Sequence, residues 1–159
     1  MSYIRNFKEI YNGDPWLGES YMAKLEDVTD EEAFTTAVEG VHTIAELVAH
    51  VIYWRSPIIR KLKGEKDYVG KMDSPENWPT LKQLKSKGWK KLLAEFDESQ
   101  KQLTSLLKSV KPEFYQEEYK PGVSWDEMIE GVVQHDIYHL GQLGLVKKMI
   151  RLDTKDTQR

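Results

Sequence analysis

The amino-acid sequence predicts an all-α fold, a four-helix bundle. Apolar residues recur at every third or fourth position over long segments, which is the period of an amphipathic helix. Three of these segments open with a hydroxyl residue followed three positions later by Glu or Gln, the pairing that caps exposed amides at a helix N-terminus. No run of alternating apolar and polar residues between turn signals favours a β-sheet.

The predicted helices follow one another along the chain. The first has Asp14 as its cap and Pro15 as its first helical residue, and it continues through Leu25 after a short helical lead-in over residues 2–11. The capping pairs of the other three are Thr43 with Glu46, Thr80 with Gln83, and Ser124 with Glu127. The apolar stripes that follow these caps reach Leu62, Val110 and Ile150.

Two features of the connections leave alternatives open. Pro57 removes an amide donor inside the second capped helix, which predicts either a kink or a restart of the helix with Ser56 as cap. The segment from Lys63 to Pro79 is longer than most helix-to-helix connections in bundles. It either lies over a pocket or crosses the end of the bundle.

Length and composition limit the class of protein. A chain of 159 residues suffices for one domain over residues 1–159 with its own core. The net charge of -3 mixes both signs along the chain, so no broad positive field attracts nucleic acid. Cysteine is absent, and no stretch approaches the apolar length of a membrane span. We expect a cytoplasmic protein that binds neither nucleic acid nor membranes.

Three histidines predict a divalent metal site. His135 and His139 are one helical turn apart within an apolar stripe, so both imidazoles lie on one helix face. His50 lies near the margin of the stripe on another helix, and neighbouring bundle helices are close enough for it to meet the pair. Three imidazoles with open positions suit Zn²⁺, Ni²⁺ or Fe²⁺. The competing interpretation is a set of histidines hydrogen-bonded to carbonyls in the core or at its rim.

Two further residues are candidates for orienting the ligands. Gln142 is three residues after His139 on the same face, and Glu46 is one turn before His50. Asp136 points about 100° away from His135 around the helix, so direct coordination by its carboxylate is not expected.

Aromatic residues surround these positions in the sequence. Tyr53, Trp54 and Tyr138 either wall a cleft or belong to the ordinary core. Trp78 lies in the long loop, which could shield the cleft. His42 is a weaker ligand candidate, because it precedes the Thr43 cap and leaves the helix at a different angle.

The residues of the two histidine-bearing helices resemble the DinB-like superfamily of metal-binding four-helix proteins. The resemblance is carried by the segment His42-Thr43-Ile44-Ala45-Glu46-Leu47-Val48-Ala49-His50 with Trp54, by the run His135-Asp136-Ile137-Tyr138-His139-Leu140-Gly141-Gln142, and by the opening Pro15-Trp16-Leu17-Gly18. It implies an up-down-down-up bundle, a metal site at His50, His135 and His139, and a homodimer. Some members of the superfamily are transferases or isomerases that use a low-molecular-weight thiol.

Two functions are compatible with these features. The first is a metal-dependent enzyme, a thiol-dependent S-transferase or a hydrolase, whose cation activates an external thiol or water against a small-molecule substrate. The absence of cysteine favours an external nucleophile. The alternative is a non-enzymatic helical bundle that dimerises or binds a ligand, with a structural metal or with none.

Overall fold

The chain is mostly helical. The computed structural model describes residues 2–156 and the side chains of residues 3–153. Its helices are α1 (Ser2–Asn12), α2 (Tyr21–Leu25), α3 (Asp30–Ala33), α4 (Ile44–Leu62), α5 (Leu81–Lys87), α6 (Trp89–Ser109) and α7 (Trp125–Asp156). A 3₁₀ helix, Pro112–Gln116, and the strands β1 (Glu118–Lys120) and β2 (Val123–Ser124) lie between α6 and α7. The predicted all-α class is confirmed.

Helix α4 lies at the centre of the packing. It contacts both α6 and α7 along its length, and α1 in turn packs on α6 and α7. The buried apolar side chains of these four long helices form one continuous core. No helix within residues 2–156 has both the length and the apolar character that a membrane crossing requires. The predicted domain spans residues 1–159, of which residues 1 and 157–159 lie outside the described part.

The predicted N-terminal helix begins too early. Residues Pro15 to Gly18 form a turn, in which the Gly18 N–H donates to the Pro15 carbonyl at 2.9 Å. Gly18 has a φ of +116°, which no right-handed helix accommodates, so it separates Pro15 from the helix that follows. Helix α2 starts only at Tyr21, and Ser20 rather than Asp14 is its cap.

The segment predicted as a short lead-in is the first long helix, α1. Its apolar face buries Phe7 and Tyr11. Two hydrogen bonds tie this face to α6, since Gln100 Nε2 donates to the Phe7 carbonyl at 2.9 Å and the Tyr11 hydroxyl donates to Asp97 at 3.1 Å. Tertiary contacts therefore stabilise a helix that the sequence marks only weakly.

Two other helix boundaries also differ from the prediction. The helix expected to run from Thr80 to Val110 is two helices, because Gly88 has a φ of +86° between α5 and α6. Helix α4 continues through Pro57 without restarting, so Ser56 is not a cap. The three predicted capping boxes are present at Thr43, Thr80 and Ser124.

The small hairpin of β1 and β2 is absent from the sequence prediction. Its antiparallel strands pair Glu118 with Ser124 and Lys120 with Val123. Gly122 turns the chain between them with a φ of +75°. Strands of three and two residues are too short to display an alternating pattern, so the sequence gives little sign of them.

A buried ion pair joins α4 to α7. Arg55 donates from Nε and Nη2 to one carboxylate oxygen of Asp136, at 2.9 and 2.7 Å, and both side chains are fully buried. The remaining amino group of Arg55 donates to Ser99 on α6, and the guanidinium lies over the Phe96 ring. The Tyr21 hydroxyl donates to the Asp136 backbone carbonyl at 2.7 Å. This network connects α2, α4, α6 and α7.

Replacement of Arg55 by Met should lower the free energy of unfolding by about 3–5 kcal/mol, because the Asp136 carboxylate would remain buried without its positive partner. Urea denaturation measures this change. The matched control is Lys101→Met, which removes an exposed ion pair with Asp97 and should change the stability far less, because solvent screens the two charges. Equal stability of the two variants would contradict a dominant role for the buried pair.

Candidate metal centre

Three histidines from two helices converge in the interior. His50 projects from α4, and His135 and His139 project from α7. One ring nitrogen of each lies within 4.8 Å of the others, and the Nε2 atoms of His50 and His135 are 3.1 Å apart. His50 and His139 are buried, while His135 is partly exposed. The structure thus brings together the three residues that the sequence predicts as ligands.

Two of the rings are oriented through their Nδ1 atoms. His50 Nδ1 donates to the Asn77 backbone carbonyl at 3.2 Å, and His139 Nδ1 donates to Gln142 Oε1 at 2.6 Å. A proton on Nδ1 leaves the Nε2 lone pair of each neutral ring free to bind a cation. Gln142 therefore has the place beside His139 that the sequence predicts for an orienting residue.

The third ring faces a carboxylate oxygen. His135 Nδ1 and Asp136 Oδ1 lie 3.9 Å apart, and neither buried atom has a hydrogen-bond partner among the described residues. The other oxygen of Asp136 is held by Arg55. Metal-binding histidines commonly donate from the nitrogen that is not bound to the metal to a carboxylate, and Asp136 is the carboxylate nearest to His135 Nδ1.

The second candidate for an orienting role, Glu46, is engaged elsewhere. Its carboxylate accepts from the Thr43 backbone N–H at 2.7 Å and from the Thr43 hydroxyl at 2.9 Å, which completes the N-terminal capping box of α4. The same carboxylate lies 3.9 Å from His42 Nδ1. Its contacts therefore involve Thr43 and His42, not His50.

Burial lowers the pKa of two of the clustered imidazoles, His50 and His139. Desolvation lowers the pKa of His50 from 6.5 to about 4, with a smaller effect of the neighbouring His139 and His135 in the same direction. Desolvation also lowers the pKa of His139, again assisted by His135. Neutral imidazole is the form that binds metals, so protons compete weakly for His50 and His139 near neutral pH.

The donor set fits a divalent cation. Two nitrogen ligands about 2.0–2.1 Å from one ion lie roughly 2.9–3.4 Å apart for angles between octahedral and tetrahedral values. The separation of 3.1 Å between His50 Nε2 and His135 Nε2 falls within that interval. Three imidazoles without a thiolate or carboxylate form a neutral donor set, which suits Zn²⁺, Ni²⁺ or Fe²⁺ better than Ca²⁺ or Mg²⁺.

The long loop after α4 lies against the histidine cluster. Its Trp78 ring is stacked between His50, with ring centroids 3.8 Å apart, and His42, with centroids 3.7 Å apart. Gly70 of the same loop lies so close to Pro57 and Trp54 that an added Cβ would be 2.9 Å from the Pro57 ring. Of the two alternatives for this loop, the structure therefore favours the one in which it covers the candidate site.

The aromatic residues near the histidines divide into two groups. Trp54 contacts His50 and His135 edge-on, with centroids 6.4 and 6.2 Å apart, and the exposed Tyr138 ring lies 5.0 Å from His139. Tyr53 instead exchanges hydrogen bonds with the Lys71 backbone through its hydroxyl, which fastens the loop to α4.

The sequence prediction missed the ion pair behind the cluster. Arg55 falls at a helical interval from Val51 and Ile58, and Asp136 falls between Val132 and Leu140, so each charge occupies a core position of its stripe. A charge in such a position requires a buried partner, and this signal was present in the sequence. The Asn77 carbonyl had no comparable signal, because a loop backbone atom leaves no mark in a residue pattern.

Comparison with known proteins agrees with the histidine pattern. The family model described as the DinB superfamily matches residues 18–143, well over half of the chain. The matched range contains all three clustered histidines and Gln142, and it leaves out α1 and the C-terminal part of α7. Searches of curated proteins and of solved structures gave no significant match.

The stability of the metal-free protein should depend on pH through His50. Its folded-state pKa of about 4 lies below the ordinary 6.5, so the unfolded chain takes up this proton first. The contribution of neutral His50 to stability is therefore complete above about pH 6.5 and declines as the pH falls toward about 4. Urea unfolding in the presence of a chelator should show this decline, and His50→Gln should make it shallower. The same pH dependence in the unaltered chain and in His50→Gln would contradict the assignment of this dependence to His50.

Proposed function

Because this chain belongs to the DinB superfamily, we propose that it is a metal-dependent enzyme whose cation is held by His50, His135 and His139. The observation that most supports the proposal is the convergence of three buried or half-buried imidazoles with two of their Nδ1 atoms already engaged. The Nε2 lone pairs of His50 and His135, only 3.1 Å apart, would repel each other unless a proton or a cation lies between them. The cation is Zn²⁺, Ni²⁺ or Fe²⁺.

The residues around the cluster prepare it for binding. Gln142 and the Asn77 carbonyl hold the Nδ1 protons of His139 and His50, which keeps Nε2 as the available donor atom. The stacked Trp78 ring excludes water from one face of His50. A divalent cation bound there lowers the pKa of a coordinated thiol or water and so supplies a nucleophile near neutral pH.

The nucleophile in this proposal comes from outside the chain. With no cysteine in the sequence, the protein has no thiol of its own to transfer or to coordinate metal. We therefore assign the reaction to the class of thiol-dependent S-transferases, with a low-molecular-weight thiol as co-substrate and a small electrophilic molecule as acceptor. Hydrolysis by activated water is the variant of the same chemistry that uses no thiol.

The remaining parts of the proposal concern the whole protein. The long helices α1, α4, α6 and α7 form an up-down-down-up bundle that makes residues 1–159 one domain. The protein is a homodimer of the cytoplasm. Superfamily membership and the mutual contacts of the four long helices support the bundle.

A second candidate function has one observation in its favour. The Trp78 ring covers His50, and cavities of about 600 and 880 Å³ lie along surfaces that the three histidines do not line. A site so enclosed suits a structural metal in a non-enzymatic bundle that dimerises or binds a ligand. Metal binding without turnover of any thiol or electrophile would favour this second function.

Elemental analysis of untagged protein purified without chelator should find about one divalent metal ion per chain. His139→Ala should lose most of this metal while its circular dichroism spectrum stays helical, because one of three donor atoms is gone. His42→Ala is the matched control: it removes a histidine that stacks on Trp78 but lies outside the cluster, and it should keep the metal. Undiminished metal content in the His139 variant would contradict the assignment.

Catalysis is tested on the same two variants. The metal-loaded protein should accelerate the reaction of one or more low-molecular-weight thiols with alkyl or epoxide electrophiles, and His139→Ala should reduce that rate at least about tenfold, whereas His42→Ala should not. Equal rates with and without His139 would contradict a catalytic metal. A rate that needs no added thiol would indicate hydrolysis.

The orienting role proposed for Gln142 is separable from metal coordination. Gln142→Leu removes the oxygen that accepts from His139 Nδ1 and should weaken metal affinity about 10–100-fold without abolishing binding. Glu46→Gln provides the comparison, because its carboxylate is bonded to Thr43, and metal affinity should change less than about threefold. Competition titrations against a chromophoric chelator measure both. A larger effect of the Glu46 variant would reverse the two roles.

A further inference from the structure

An exposed stripe with apolar side chains at its centre runs along the outer face of α7. We call it the α7 stripe and define it by Glu130, Ile137, Gly141, Leu145, Lys148 and Leu152; the exposed polar residues Glu127 and Gln134 lie in the same arc. At 100° per residue these positions fall within an arc of about 80° on the side of α7 away from the core. Ile137, Leu145 and Leu152 are 38%, 56% and 54% exposed, which is high for large apolar side chains grouped on one helix face.

The turn before α2 extends this apolar surface. Leu17 lines a groove of about 880 Å³ together with Ile137 and Leu145, and the neighbouring Trp16 is fully exposed. The groove is also lined by charged side chains, among them Lys24 and Lys147. A fully exposed tryptophan beside such a groove has the character of an interface anchor, since aromatic residues are enriched among those that contribute most to binding.

Gly141 lies at the middle of the stripe, and nothing in the chain's own fold requires a glycine at this position. Its backbone is ordinary helix, and a Cβ placed on it would meet nothing within 4 Å. Glycine is less favourable than alanine inside a helix. Gly144 differs, because the Lys24 side chain lies 3.1 Å from its would-be Cβ. The open surface over Gly141 therefore fits the close approach of a second backbone.

The charges of the stripe favour a second copy in antiparallel orientation. Glu130 and Lys148 are exposed on opposite sides of Gly141 along the helix and share one angular position, being 18 residues or five full turns apart. Two stripes crossing at Gly141 in antiparallel orientation place Ile137 opposite Leu145 of the partner subunit. Glu130 then lies opposite Leu152 of the partner subunit and about 6 Å along the axis from Lys148 of the partner subunit. A parallel copy would instead set each charge against its like.

We propose that the α7 stripe, flanked by Trp16 and Leu17, is the surface on which a second copy of this chain docks, with the two α7 helices antiparallel and in closest contact at Gly141. The inference rests on the homodimer of the proposed function and assigns it a surface. The contact is isologous, so a single patch provides both halves of the interface. The histidines project from the opposite face of α7, so metal binding does not enter the contact.

The first test replaces a glycine by leucine. Gly141→Leu should weaken dimerisation at least about a hundredfold in sedimentation equilibrium, because the bulky side chain keeps the two helices apart. The monomer should be at least as stable as the unaltered chain to urea, since the added side chain meets open space. Gly131→Leu is the matched control: it also lies in open space on α7, about 80° around the helix from Gly141, and should leave the dimer unchanged.

The second test exchanges charges. Glu130→Lys and Lys148→Glu should each weaken the dimer about tenfold or more at low salt, because each creates two like-charge contacts across the two-fold axis. The double variant should regain most of the affinity. Lys90→Glu, an exposed charge reversal on α6, should have little effect. Recovery in the double variant would support direct pairing, and additive losses would overturn it.

The outcomes separate the surface from the dimer and from the metal. A dimer that survives Gly141→Leu and both charge reversals would overturn this surface while keeping the proposed homodimer. A chain that stays monomeric up to about millimolar concentration would overturn both. The metal content of Gly141→Leu is measured alongside and should match that of the unaltered chain, because metal loss with an intact monomer would contradict the independence of the two faces.

Discussion

Arg55 and Asp136 form a fully buried ion pair between α4 and α7, and the arrangement of the candidate metal centre depends on their contact. Desolvating two charges is unfavourable unless the geometry is good and the remaining polar atoms are satisfied. Here two guanidinium nitrogens donate to one carboxylate oxygen and a third donates to Ser99, while the other carboxylate oxygen of Asp136 has no hydrogen-bond partner among the described residues. Breaking this contact would leave a charge in the core. The pair therefore resists sliding or rotation of α4 against α7.

The same constraint determines where the imidazoles lie. Asp136 directly follows His135, and Arg55 is five residues after His50, so each charge is close in the chain to one of the histidines. When the charges meet, the rings of His50 and His135 are brought to a centroid separation of 5.0 Å. The carboxylate also places an unsatisfied oxygen near the unsatisfied Nδ1 of His135. One buried ion pair thus fixes α4 against α7 and places a carboxylate beside the candidate ligand His135.

Helix α7 has different roles on its two sides. Its inner face carries His135, Asp136 and His139, where burial lowers the pKa of His139 and Asp136 pairs with Arg55. Its outer face carries exposed apolar residues around Gly141, where the chain's own fold makes no demand on the residue. A rigid helix can serve both sides because side chains on opposite faces do not compete for space. The chemistry and the proposed association are therefore structurally separable.

Local sequence determined much of the fold and one half of the candidate site. Capping pairs at Thr43 and Ser124 located the starts of α4 and α7, because a cap acts within one helical turn. The four-residue interval between His135 and His139 placed both rings on one face for the same local reason. Local rules failed at Gly18 and Gly88, where a positive φ interrupted an otherwise helical pattern.

The tertiary structure decided the other half of the candidate site. His50 reaches His135 across 85 residues of chain, the Asn77 carbonyl reaches His50 across 27, and Arg55 reaches Asp136 across 81. Periodicity shows which side of a helix is buried, but it does not specify the partner that the side meets. By itself the sequence determined helices α4 and α7, the three capping boxes at Thr43, Thr80 and Ser124, and the inward direction of the histidines. Only packing decided their mutual distances and Trp78's position over His50, because both depend on contacts between segments that are distant in the chain.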